Sequence, residues 1–157
     1  MLVVLILCIF LGASGVNCAT AQTLENPSMY FALAEWAFEV RGEDDYDPNP
    51  SGEFPRGERG YAYVEVAGFA IDKRDRFYVL ELDVDVALET KNGLRLFSQA
   101  DVLELEEWYV DPPESTWFYI YVDIPWWAPR GTYRTLITVR DEISGLALNE
   151  IREIMVK

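Results

Sequence analysis

The stretch FYVLELDVDVAL, residues 77–88, carries the pattern that decides the fold. Tyr78, Leu80, Leu82, Val84, Val86 and Leu88 point one way, and Glu81, Asp83 and Asp85 point the other. Apolar side chains at every second position set one face against a core and the other in water, as in a half-buried β-strand. Lys91-Asn92-Gly93 follows as a hairpin signal, because Asn and Gly tolerate positive φ. A short strand, 94–98, returns from that turn, and 102–108 alternates less cleanly after it.

The same period runs outward in both directions. Trp117–Ile124 sets Phe118, Ile120, Val122 and Ile124 against Trp117, Tyr119, Tyr121 and Asp123. Thr132–Arg140 turns Tyr133, Ile137 and Val139 inward, and Ala147–Val156 supplies a last strand. Upstream, Tyr61–Phe69 is a tight aromatic strand. Met29–Val40 reads as a strand with Tyr30, Ala32, Ala34, Trp36, Phe38 and Val40 on its buried side. A helix competes there, since Ala and Glu are good helix formers, but the aromatic alternation favours the strand. Residues 41–60, rich in Gly, Pro and carboxylates, read as a loop, and 71–76 as a turn. About seven to eight short strands, broken by regular turn signals and by no long helix, predict an all-β fold: an antiparallel two-sheet sandwich, with a closed barrel as the competing architecture.

Composition bounds the rest. The chain has 157 residues, 13 basic and 27 acidic, for a formal net charge of −14. That length suits one domain, and an apolar half argues against disorder. The acidic surface excludes nucleic acid as a partner, because phosphate contacts need clustered Lys and Arg. There is no histidine, so a Ser-His-Asp triad and a His-based zinc site are excluded. No glycine-rich phosphate loop and no aspartic-protease tripeptide appears.

Residues 1–21, MLVVLILCIFLGASGVNCATA, carry no charged side chain. The apolar run Leu2–Leu11 leads to Ala19-Thr20-Ala21, a small-x-small site, which predicts a signal peptide cleaved after Ala21. A retained anchor competes, although Leu2–Val16 falls short of the ~20 residues that span a bilayer. The expected product is one domain, 22–157, secreted or at the extracytoplasmic surface, with no membrane span after cleavage. Cys8 and Cys18 leave with the leader, so the domain has neither disulfide nor thiol.

The segment 124–147 resembles the closing hairpin of secreted prokaryotic immunoglobulin-like domains. The pieces are Ile124-Pro125, Pro129-Arg130-Gly131-Thr132-Tyr133, the strand Thr135–Val139, and Asp141 to Ser144-Gly145. RGERGYAYVEVAGF, residues 56–69, is similar to the matching early strand. The resemblance implies an immunoglobulin-like sandwich. It implies no activity, since that architecture serves adhesins, carbohydrate-binding modules and enzyme accessory domains alike. The Cys…Trp…Cys pattern of the antibody branch is absent.

Three groups of residues could carry function. Asp45, Asp47, Asn49 and Glu53 offer hard oxygens in a flexible loop, the chemistry of a calcium site. Their start resembles an EF-hand loop, but Pro50 and Arg56 stand where that motif needs Gly and Glu. A solvated acidic loop is the plainer reading, and no other cofactor is expected. Trp126 and Trp127, flanked by prolines, and the pair Trp108 and Tyr109 form the second group. Adjacent residues on an extended chain point apart, so at most one of each pair is easily buried; the other offers a ring for sugar stacking or a protein partner. Otherwise these rings cap the end of the sandwich. The third is the carboxylate row Glu81, Asp83 and Asp85, for which Arg134 and Arg140 are the expected counterions. The sequence therefore points to a non-catalytic exported domain that presents a structural, adhesive or assembly surface. A carbohydrate-binding module is the alternative. The partner is a protein or a surface glycan, and the oligomeric state is left open.

Overall fold

The computed structural model describes residues 28–157, so the expected leader lies outside the described residues. Ten strands follow one another: β1 (Tyr30–Gly42), β2 (Asp45–Pro48), β3 (Glu53–Phe54), β4 (Arg59–Ala67), β5 (Asp72–Arg74), β6 (Phe77–Thr90), β7 (Arg95–Tyr109), β8 (Ser115–Asp123), β9 (Gly131–Asp141) and β10 (Ala147–Val156). They form a four-stranded sheet, β2-β1-β4-β8, and a six-stranded sheet in which β3, β10, β9 and β6 run in order. β7 takes one edge of β6 along nearly its whole length. β9 and the short β5 share the opposite edge. Among the described residues no strand joins the two sheets, so the arrangement is sandwich-like and not one closed sheet.

Alternation explains the layering. Leu80, Leu82, Val84 and Val86 of β6 meet Ile137 and Val139 of β9, and the facing sheet contributes Ala62, Val64, Val66, Phe118 and Ile120. All belong to one apolar cluster. Phe54 enters it from β3, where Gly60 leaves room: a Cβ at that glycine would come within 2.9 Å of the Phe54 ring.

Four expectations are corrected. Residues 41–60 contain β2 and β3 as well as the start of β4, and 71–76 contains β5; these strands are too short to show a period. The sheets are not wholly antiparallel, because β3 pairs with β10 in parallel. The two segments 94–98 and 102–108 belong to one strand, β7, interrupted by a bulge. There the partners of Val84 and Val86 jump from Leu103 to Gln99, and Asp101 sits at φ 51°. In β1 a register shift between Phe31 and Leu33 moves Phe31 opposite Val66, on the inward side, and leaves Tyr30 exposed. A second shift, between Ala37 and Glu39 in the pairing with β2, accompanies the exposure of Phe38. Each bulge adds one residue to the strand and inverts the parity beyond it.

Candidate functional site

Trp126 and Trp127 occupy the two central positions of a turn closed by the Ala128 N–H donating to the Pro125 carbonyl at 2.9 Å. A turn does not alternate like a strand, so both rings reach water: Trp126 is 77% exposed and Trp127 65%. The expected capping role is therefore not theirs. The turn is framed on both sides. Ile124 exchanges main-chain hydrogen bonds with the 57–58 segment, at 2.8 and 2.9 Å, and the Tyr133 hydroxyl donates to the Pro129 carbonyl at 2.8 Å.

Trp108 and Tyr109 lie elsewhere and on opposite faces of β7. Trp108 stands on the outer face of the six-stranded sheet. It packs edge-on against Phe77 and donates from Nε1 to Glu106 at 3.1 Å. Tyr109 turns inward, and its hydroxyl and that of Thr116 both donate to Glu107. Burial, and then the hydrogen bond to Glu107, push the Tyr109 phenol up to about 12.

The acidic loop is internally engaged. Arg41 binds Asp45 at 2.8 Å, Glu39 at 2.9 Å and Asp47 at 3.0 Å, and hydrogen bonding to that guanidinium holds the Asp47 carboxyl below the usual range. Asn49 is buried. Its amide donates to the Glu53 carbonyl at 3.0 Å and its oxygen accepts from Ser51 at 2.7 Å. The Glu53 carboxylate pairs with Lys157. Among the described residues no group of three or more Asp, Glu, His or Cys converges to hold a metal. The carboxylate row is likewise paired: Glu81 with Arg74, and Asp83 and Asp85 with Arg140, which also reaches Asp101 and Glu142. Arg134, expected as a counterion of the row, takes no part; Arg74 arrives instead from β5.

Two features escaped the sequence reading. One is the outer face of the four-stranded sheet. The antiparallel register sets Tyr61 opposite Tyr121, Tyr63 opposite Tyr119 and Glu65 opposite Trp117. Tyr46 stacks on Tyr63 at 4.3 Å and Tyr63 on Trp117 at 5.7 Å, so three near-parallel rings cross the sheet. Tyr61 meets Tyr119 and Tyr121 at 5.9 and 6.4 Å, and the rings of Tyr119 and Tyr121 are open to water. At the end of this row Arg59 lies over Tyr121 at 3.9 Å and grips Asp123 through two hydrogen bonds, at 2.6 and 2.9 Å. The aromatic odd positions of residues 61–69 and 117–124 were the available signal, but only the pairing of β4 with β8 joins them.

The other is a cleft of about 1020 Å³ between the edges of β7 and β8. Val86, Leu88, Phe97, Leu103 and Leu105 line one wall, Phe118, Ile120 and Val122 the other, and Tyr119, Tyr121 and Trp127 also stand on its lining. The buried hydroxyl of Thr135 also lines it and has no hydrogen-bond partner. Among the described residues no helix is long and apolar enough to cross a membrane.

No family model matches the sequence, and no curated protein matches it. Several solved structures are similar at low identity. The C-terminal domain of Wzt shares 10% identity at a TM-score of 0.49, over 82% of this chain and 73% of that one. An immunoglobulin-like protein from Pseudomonas aeruginosa shares 13% identity at 0.42, over 85% and 99%. A family 123 glycoside hydrolase from Clostridium perfringens shares 10% identity at 0.45; the match covers 67% of this chain and only 23% of the hydrolase.

Proposed function

We propose that the chain is a non-catalytic carbohydrate-binding module on an immunoglobulin-like sandwich, exported by the leader at 1–21. Its own topology supports the architecture. The orders β1-β4-β8 and β10-β9-β6-β7 correspond to strands A-B-E and G-F-C-C′ of that fold. Tyr133, at the start of the strand equivalent to F, bonds back to the Pro129 carbonyl as a tyrosine corner does.

The observation that carries the binding reading is the set of rings turned to water along β8 and the turn that follows it: Tyr119, Tyr121, Trp126 and Trp127. A sugar ring offers C–H faces edged with hydroxyls. Flat aromatic faces take the former, and the neighbouring Arg59–Asp123 pair takes the latter through charge-assisted hydrogen bonds. A net charge of −14 selects neutral glycans over acidic ones. Calcium has no part in this reading, since Asp45, Asp47, Asn49 and Glu53 are engaged with other groups.

The test is a titration against a panel of neutral oligosaccharides, followed by isothermal titration calorimetry. Replacing Trp126 and Trp127 together by Ala, or Tyr119 and Tyr121 together by Ala, should weaken binding at least ~10-fold. The Trp pair should lose binding with its melting temperature unchanged, because its side chains are largely outside the core. Chelator should leave the titration as it was. A panel in which no neutral glycan binds, or in which both double variants bind as the wild type does, overturns the proposal.

A further inference from the structure

Among the described residues five strands stand at sheet edges, and four of them are guarded; one of these, β5, is three charged residues. β2 is short, acidic and ends in Pro48. β3 has two residues and is followed by Pro55. β7 is long but carries the bulge at Asp101 and the charges of Glu104 and Glu106. Charge, proline, brevity and bulges are the devices by which proteins keep edge strands from pairing with other chains. β8 has none of them. From Ser115 to Val122 it carries no charge, proline or glycine, and its register with β4 runs without a break. Among the described residues its other side pairs with no strand. That bare edge borders the apolar cleft.

We propose that β8 and the cleft beside it receive an extended strand from a partner chain, with apolar residues at alternate positions and basic residues at its ends. Main-chain groups of the incoming strand would pair with the free side of β8. Every second side chain would then enter the cleft, against Phe97, Leu103, Leu105 and Ile120. A strand fits better than an acyl chain, which would leave the row of N–H and C=O groups on β8 unpaired. The charge follows from the chain's net −14 and from Asp111 and Glu114, which precede β8; Asp123, at its other end, is held by Arg59. This surface adjoins the one proposed for glycans, since Tyr119, Tyr121 and Trp127 also stand on the cleft lining, but it uses the main-chain edge and the inward side of β8.

The experiment uses the peptide Ac-Lys-Val-Thr-Val-Thr-Val-Thr-Val-Lys-NH2 as probe, with isothermal titration and amide hydrogen exchange on the intact domain. Two further peptides carry N-methyl groups, one on the Val nitrogens and one on the Thr nitrogens. A paired strand turns alternate N–H groups toward its neighbour. The expected result is saturable one-to-one binding, slowed exchange within 115–123, and a loss of at least ~10-fold for one methylated peptide and not the other. Absence of saturable binding overturns the proposal. So does equal binding by all three peptides with exchange in 115–123 unchanged, which would mean apolar contact without strand pairing. Tight binding of the neutral dye N-phenyl-1-naphthylamine, undisturbed by the peptide, would assign the cleft to a small apolar ligand and overturn it too.

Discussion

The outer face of the six-stranded sheet and the outer face of the four-stranded sheet present opposite chemistries. On the first, Glu81, Asp83, Asp85 and Asp101 stand beside Arg74 and Arg140, and each of these carboxylates has its cation. On the second, Tyr46, Tyr63 and Trp117 stack across the strands, and Tyr61, Tyr119 and Tyr121 form a cluster beside them. Both faces point away from the core by the same parity rule. A charged face satisfies itself, pair by pair, and has little left to offer a ligand. An aromatic face satisfies itself only in part, since a ring has two sides and the outermost rings have one free. Outward parity therefore does not mean exposure. Tyr63 points out of the sandwich, yet it is only 1% exposed, because Tyr46 and Trp117 cover both sides of its ring.

The sharpest way to break this comparison is at Tyr63. If the aromatic face is a second, shallow core, Tyr63→Ala should cost about 3–5 kcal/mol, as for a buried aromatic in a core. Urea unfolding measures it. A loss near that of an ordinary surface substitution, within about 0.5 kcal/mol, would show that the stack is ornamental.

That residue also marks what the sequence could and could not convey. Leu80–Val86 was legible because apolar and acidic residues take strictly alternate places, so parity named the core face, although Val79 and Ala87 on the other face are buried as well. Tyr30–Val40 has apolar residues on both sides and bulges within it. Its β character was legible, but its buried face was not. The carboxylate row was read correctly, yet its counterion Arg74 lies on a three-residue strand that shows no period. Trp126 and Trp127 stood out as adjacent rings between prolines, while the exposure of both together followed from a turn that alternation does not describe. The tyrosine face was hidden because Tyr46, Tyr63 and Trp117 sit on three strands, and only hydrogen-bond register joins them. The cleft was hidden for the same reason: it belongs to two edges, in different sheets.

A smaller effect separates the faces by pH. Burial raises the phenols of Tyr46 and Tyr63 above the ordinary value near 10, and Tyr109 is pushed up to about 12. An unfolded chain releases these protons first, so the folded state keeps its full stability below about pH 10 and loses it progressively toward pH 12. Equilibrium unfolding at a series of alkaline pH values should show that decline. Tyr109→Phe should flatten it most and Tyr63→Phe less, while Arg140→Met, on the charged face, should leave it unchanged. An equal decline in Tyr109→Phe and the wild type would remove burial of that phenol as its source.

The smallest effect is expected on the charged face itself. Arg140 is partly exposed and touches four carboxylates, so Arg140→Met removes a cation and leaves Asp83, Asp85, Asp101 and Glu142 close together. Stability should fall by less than for Tyr63→Ala, because exposed ion pairs are weak and water screens them. The loss should also shrink as salt is added, since ions screen the repulsion that remains. The contrast lies in that salt dependence. The Tyr63→Ala loss comes from packing and should persist at high ionic strength. If the Arg140→Met loss persists equally, the guanidinium acts on this face through its packed stem more than its charge, and the two faces differ less in kind than their chemistry suggests.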